Sequence, residues 1–184
     1  MFKGSKTQLK TATFCFDIVS IFATAALAIA ICFTFFFRTV VVDGNSMNPT
    51  LTHGDRLIIT AMAKDYKYGD IVVCSQPNPM EKTLIKRVIA TEGQRVTIDF
   101  VNGVVKVDGV ELDEPYIAEK TYREEGIAFN NTVVPEGCVF VMGDNRNNST
   151  DSRSPMVGFI DTNYIMGRVL FRLSPQFDMH VADF

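Results

Sequence analysis

The pattern of hydrophobic and polar positions divides the chain into two unlike parts. Residues 18–37 carry no charge and mark no polar face. Twenty residues at about 1.5 Å rise per residue make a helix of roughly 30 Å, the thickness of a bilayer's hydrocarbon core. Beyond residue 37 the pattern becomes short β-like runs separated by Gly, Asn, Asp and Pro, at 40–42, 56–59, 71–74, 83–90, 96–101, 104–107, 138–142 and 165–173. Asn102-Gly103, between two of these runs, reads as the strongest hairpin turn, and Asp108-Gly109 closes the second run. No helical period is sustained after residue 37. The expected fold is therefore mostly β: a coiled or barrel-like sheet domain behind one transmembrane helix. Residues 95–135, richer in acidic side chains and turns, read as a small inserted β subdomain. The expected division is a tail at 1–13, an anchor helix at 14–37 and a folded domain at 38–184.

Charge sets the expected topology. Lys3, Lys6 and Lys10 precede the apolar run with only Asp17 between, so the positive-inside tendency puts the amino terminus in the cytoplasm and the folded domain on the extracytoplasmic side. Small-x-small triplets (Ala26-Leu27-Ala28, Ala28-Ile29-Ala30) lie inside the run rather than at its end. That reads as an uncleaved anchor in membrane lipid rather than a signal peptide. Residues 38–184 hold 15 basic against 20 acidic side chains, no footprint for nucleic acid. The four cysteines and two histidines show no metal-ligand spacing, so no metal or other cofactor is expected. Cys74 and Cys138 sit among valines and a phenylalanine, as in buried strands.

Three stretches carry candidate chemistry. In Gly44-Asn45-Ser46-Met47-Asn48-Pro49-Thr50-Leu51 the turn formers bend the backbone, and Ser46 either caps that turn or projects its hydroxyl toward a substrate. In Thr83-Leu84-Ile85-Lys86-Arg87-Val88-Ile89 a strand alternates faces, so Lys86 shares one with Leu84 and Val88, and Arg87 the other with Ile85 and Ile89. Whichever face is interior, one cation meets apolar surroundings, unless both snorkel from an edge strand. A desolvated lysine loses its proton more readily and becomes a usable base. Between Gly143 and Arg153, two aspartates, two arginines and three hydroxyls fall within eleven residues. That is either a solvated loop or an internally paired one that holds donors beside a site. Sequons at Asn130, Asn147 and Asn148 are formal matches only.

Taken together and in order behind one membrane helix, these stretches resemble the bacterial type I signal peptidases (leader peptidases). The motifs that carry the likeness are Ser46-Met47-Asn48-Pro49-Thr50-Leu51, Gly69-Asp70-Ile71-Val72-Val73, Ile85-Lys86-Arg87-Val88, and Gly143-Asp144-Asn145-Arg146 through Ser149, Asp151, Ser152 and Arg153. The short middle insertion is similar to that of the compact Gram-positive members. The resemblance implies Ser46 as nucleophile and Lys86 as general base. It implies that Ser149 hydrogen-bonds the lysine amine, and that Asp144, Arg146, Asp151 and Arg153 form a salt-bridged scaffold. Glycine stands at position 44, where some relatives carry an oxyanion-binding serine, so the Ser46 backbone N–H with a second donor is expected to hold the oxyanion. Implied substrates are exported preproteins with signal peptides, cut after small-x-small residues, with Val40 and Val42 as walls of the substrate pocket.

Other classes make different demands. A self-cleaving SOS-type repressor would carry a soluble DNA-binding domain where this chain has an apolar span. A non-catalytic anchored β module would leave the Lys86 strand and the dense loop without a purpose. A Ser-His-Asp hydrolase would have to use His53, which lies in the turn-like Thr52-His53-Gly54-Asp55.

Overall fold

A computed structural model describes residues 3–62, 64–77, 79, 82–124, 130–175 and 177–179. They form two compact units, Met1–Arg38 and Thr39–Phe184.

The first unit is helix α1, Lys3–Phe36. Within it Thr13–Phe36, 24 residues, is long and apolar enough to cross a membrane. Its hydroxyls turn back onto the helix: Ser20 Oγ donates to the Asp17 carbonyl at 2.9 Å, Thr24 Oγ1 to that of Ser20 at 2.8 Å and Thr34 Oγ1 to that of Ala30 at 2.7 Å. Each is thereby satisfied without water, as a lipid-facing segment requires.

The rest is built on β-strands. In chain order they are β1 Phe37–Val41, β2 Arg56–Thr60, β3 Ile71–Cys74, β4 Leu84–Thr91, β5 Arg95–Asp99, β6 Val104–Val107, β7 Val110–Glu111, β8 Thr132–Val133, β9 Cys138–Met142, β10 Ile160–Asp161 and β11 Ile165–Ser174. Among the described residues no α-helix follows α1. Every expected run became a strand. The three two-residue strands β7, β8 and β10 are too short to leave a pattern in sequence.

A seven-stranded sheet runs β1-β2-β11-β3-β4-β9-β10, and a four-stranded one, β7-β6-β5-β8, takes up the middle of the chain. The larger sheet is open and bulged. β4 carries an extra residue between Val88 and Ala90 opposite β9, and β11 shifts register between Val169 and Phe171. Such bulges increase the local twist and coil the sheet.

The expected β5–β6 hairpin forms, with a longer loop than the turn dipeptide alone would make. β5 and β6 pair Asp99 with Val104, so a four-residue loop that includes Asn102-Gly103 joins them. The Asp99 carboxylate builds that loop by accepting the Val101 and Asn102 N–H groups, both at 3.0 Å. The tight two-residue turn is Asp108-Gly109, both at positive φ (52° and 82°), between Val107 and Val110.

The apolar residues collect in three clusters. One (Val42, Met47, Leu51, Leu57, Ile59, Ile71, Val73, Val169) lies beneath the serine bend. A second (among them Ile89, Val96, Ile98, Val105, Phe140) joins the two sheets. A third (Val72, Cys74, Val88, Val139, Val141, Val157, Ile160) takes the alternate residues of β3 and β9. β3 is buried at all four positions and β4 at five of eight, so both faces of the sheet's centre are covered. Cys74 is buried as expected and Cys138 only half-buried; both are free thiols.

Candidate active site

The serine bend is a loop tied at its neck. Val42 N–H donates to the Asp55 carbonyl and Gly54 N–H to the Val42 carbonyl, each at 2.9 Å. Gly44 enters the bend at φ 105°, a conformation that L side chains rarely adopt. Met47 and Leu51, 1% and 0% exposed, anchor the following turn in the first core cluster, with Leu51 N–H on the Met47 carbonyl at 2.9 Å. Those apolar anchors point the turn inward and leave the neighbouring Ser46 half-buried on a cleft wall. His53 does not reach it. Its Nδ1 accepts the Gly44 N–H at 3.2 Å and lies 3.3 Å from Asp43.

β4 brings the amine. Both of its adjacent cations are buried, Lys86 at 3% and Arg87 at 0% exposure, because the strand is central and covered on both faces. Lys86 Nζ lies 2.7 Å from Ser46 Oγ and donates to the Ile85 carbonyl at 3.0 Å. Burial lowers the pKa of Lys86 below the ordinary lysine value; the Asp151 and Asp144 carboxylates oppose that pull without cancelling it.

The loop at residues 143–154 is buried and paired, though not wholly within itself. Only Asp151 and Arg153 pair inside it, through two contacts of 2.8 Å. Burial alone would raise the Asp151 pKa, but the Arg153 guanidinium and the Gly143 N–H hold it below the usual carboxylate value. Asp144 reaches out to β4 and takes a fork from Arg87 at 2.9 and 2.8 Å. Arg146 reaches instead into the middle of the chain and forks onto Glu114 at 2.8 and 2.6 Å. The Ser149 hydroxyl donates to Asp151 Oδ2 at 2.8 Å, a charge-assisted bond.

The loop also grips the bend. Asn145 N–H donates to the Ser46 carbonyl and Asn145 Nδ2 to the Asn45 carbonyl, both at 3.0 Å. Gly143 packs so close that a Cβ there would collide with Ser149 Oγ and the Ser46 carbonyl oxygen. The Asn147 amide, one of the formal sequons, is taken up by the chain: its oxygen accepts the Tyr122 and Arg123 N–H groups and its nitrogen donates to Glu119 and the Lys120 carbonyl.

A cleft of about 540 Å³ opens over Ser46 and Lys86. Val40 and Val42 line it together with Val73, Ile85 and Met166. Glu114 and Tyr116 were not singled out from sequence, and Arg87, Gly143 and Asn145 were read there only as members of their stretches; their contacts link segments about 30 to 100 residues apart, and no local pattern marks such partners.

A serine hydroxyl on a pinned bend, within hydrogen-bond reach of a desolvated amine and open to a cleft, is an arrangement that nucleophilic catalysis can use. Residues 15–174 match the family described as Signal peptidase, peptidase S26. The chain is 39% identical over 162 residues to a probable signal peptidase I-1 of Synechocystis, covering 82% of this chain and 78% of that protein. It is 35% identical over 156 residues to signal peptidase I of Bacillus caldolyticus, covering 77% and 81%. The crystal structure of a signal peptidase I from Enterococcus faecalis V583 is 30% identical, covers 56% of this chain and 96% of its own, and superposes with a TM-score of 0.47. The chain belongs to the signal peptidase family, peptidase S26, whose members are serine peptidases.

Proposed function

We propose that this chain is a membrane-anchored endopeptidase that removes signal peptides from exported preproteins, with Ser46 as nucleophile and Lys86 as its general base. The observation that carries the reading is the 2.7 Å separation of Lys86 Nζ and Ser46 Oγ, with the lysine almost wholly out of water. In its neutral form the amine accepts the hydroxyl proton as Oγ attacks the scissile carbonyl. The resulting ammonium protonates the departing amine, and the lysine then activates water to hydrolyse the acyl-enzyme. The Ser46 N–H makes no hydrogen bond to another described residue and is the first oxyanion donor in this scheme.

Charge pairing supports the base assignment. The buried guanidiniums of Arg87, Arg146 and Arg153 are matched by the carboxylates of Asp144, Glu114 and Asp151. Among the described residues Lys86 has no carboxylate within salt-bridge distance, so the more distant Asp151 and Asp144 offset only part of the cost of keeping it charged. Asp144, Arg146, Ser149, Asp151 and Arg153 act here as supports that keep the bend and the strand in register.

In this reading the substrate segment adds as an extended strand along the cleft that Val40 and Val42 line, and cleavage falls after small-x-small residues. The helix at 13–36 holds the enzyme in the lipid with its substrates, amino terminus in the cytoplasm and peptidase domain outside. Incubation of the purified full chain with a preprotein in detergent tests the scheme. Wild type yields mature product, whereas Ser46→Ala and Lys86→Ala lower kcat by several orders of magnitude. Cleavage by Ser46→Ala at the wild-type rate overturns it.

A further inference from the structure

Buried guanidiniums need partners, because a desolvated cation without hydrogen-bonded counter-charge is strongly destabilising. Two here, Arg87 and Arg146, stand on opposite sides of the proposed reaction. Arg87 follows Lys86 on β4 and forks onto Asp144 while donating to the Gly69 carbonyl at 2.7 Å. Arg146 sits in the loop that grips the nucleophile's bend, and its Nε donates to the Gly143 carbonyl at 3.1 Å. Gly143 is the residue packed without clearance against the Ser46 carbonyl.

Between these arginines lies a segment that takes part in no named strand, residues 112–123. Tyr116 is 2% exposed, and its ring is covered by the Arg87 guanidinium at 4.1 Å, with that of Arg146 at 5.7 Å. Cations over a buried aromatic face are attracted by its quadrupole, the more so out of water. The Tyr116 hydroxyl donates to Glu114 Oε1 at 3.0 Å, and the same carboxylate receives both terminal nitrogens of Arg146. Thr121 Oγ1 accepts a further bond from Arg146 at 3.1 Å, and Asn147 clasps the end of the segment through the Tyr122 and Arg123 N–H groups. Burial, reinforced by the Glu114 charge, pushes the Tyr116 phenol far up, so its proton stays on as a donor.

We infer that Glu114 and Tyr116 are positioning residues for the reaction: they bridge the arginine beside the base to the arginine beside the nucleophile's loop, and so set the separation of Lys86 Nζ and Ser46 Oγ. One route runs Glu114, Arg146, Gly143, Ser46; the other runs Tyr116, Arg87, Lys86. Neither residue lines the cleft, so substrate binding does not pass through them. The inference rests on the Ser46–Lys86 mechanism proposed above. A shift of the order of 1 Å in near-attack geometry costs up to about 100-fold in rate without weakening binding.

The test uses the full chain in detergent with a preprotein substrate, well below each variant's unfolding temperature, with rates expressed per folded molecule. Glu114→Gln, which keeps shape and removes charge, is expected to lower kcat about 10- to 100-fold while KM stays within about twofold. Tyr116→Phe, which keeps the ring over Arg87 and loses the hydroxyl's bonds to Glu114 and Tyr68, is expected to lower kcat about threefold, and Tyr116→Leu about as much as Glu114→Gln. If Glu114→Gln does not fold, the two Tyr116 variants decide. An unchanged kcat per folded molecule, or a change confined to KM or to thermal stability, overturns the inference and leaves the segment a structural brace. Ser46→Ala run in parallel separates the two failures. Its inactivity beside fully active strap variants spares the mechanism, whereas its activity removes the mechanism itself.

Discussion

At the scale of single residues, the proposed chemistry depends on how little room surrounds Ser46. Gly143 has space for a hydrogen and nothing larger. Gly143→Ala is therefore expected to push the Ser46 carbonyl off its Asn145 bond and lower kcat by about 100-fold, read by steady-state kinetics on protein that remains folded. Lys86 gives a second expectation. Its folded pKa is lowered by burial, so the neutral amine, the form that accepts a proton, accumulates as pH rises through that lowered value. The rate should climb with pH and reach its plateau below the titration of an ordinary lysine, at about 10.4. A profile flat from about pH 5 to 10 would remove Lys86 as the base. Both side chains were legible in sequence, Ser46 from the turn formers around it and Lys86 from an alternation that could not keep two adjacent cations wet. The acceptor that the Ser149 hydroxyl finds, the Asp151 carboxylate, is not encoded by spacing.

At the scale of elements, β4 and the 143–154 loop form one unit. The strand presents Lys86 and Arg87 in succession, and Arg87 fastens the loop through Asp144, both side chains fully buried. Arg87→Met would leave the Asp144 carboxylate without its counter-charge. The expected loss is about 3–5 kcal/mol of stability, visible as a lower urea midpoint at neutral pH. The sequence marked the loop as dense in opposite charges and so as a candidate for internal pairing. One of its pairs is internal, Asp151 with Arg153; the other two partners, Arg87 and Glu114, both lie before it in the chain. Composition within a window cannot reveal a partner outside the window. Strand positions were easier, since β3 and β9 are continuous apolar runs flanked by turn formers, and their bounds agree to the residue with the runs read at 71–74 and 138–142. Asn102-Gly103 marked the β5–β6 hairpin but not the loop's length: the Asp99 carboxylate captures two backbone N–H groups and ends the strand two residues early.

At the scale of the whole molecule, an uncharged run of helical length and a β-patterned remainder were plain in the sequence, and the structure keeps them as separate compact units. Strand order was not legible, because it depends on contacts between the ends of the chain. The last long strand, β11, enters between β2 and β3, so within the sheet it bonds the part that follows the serine bend to the part that carries Lys86. A break in that strand would unfasten the sheet between the two members of the proposed dyad.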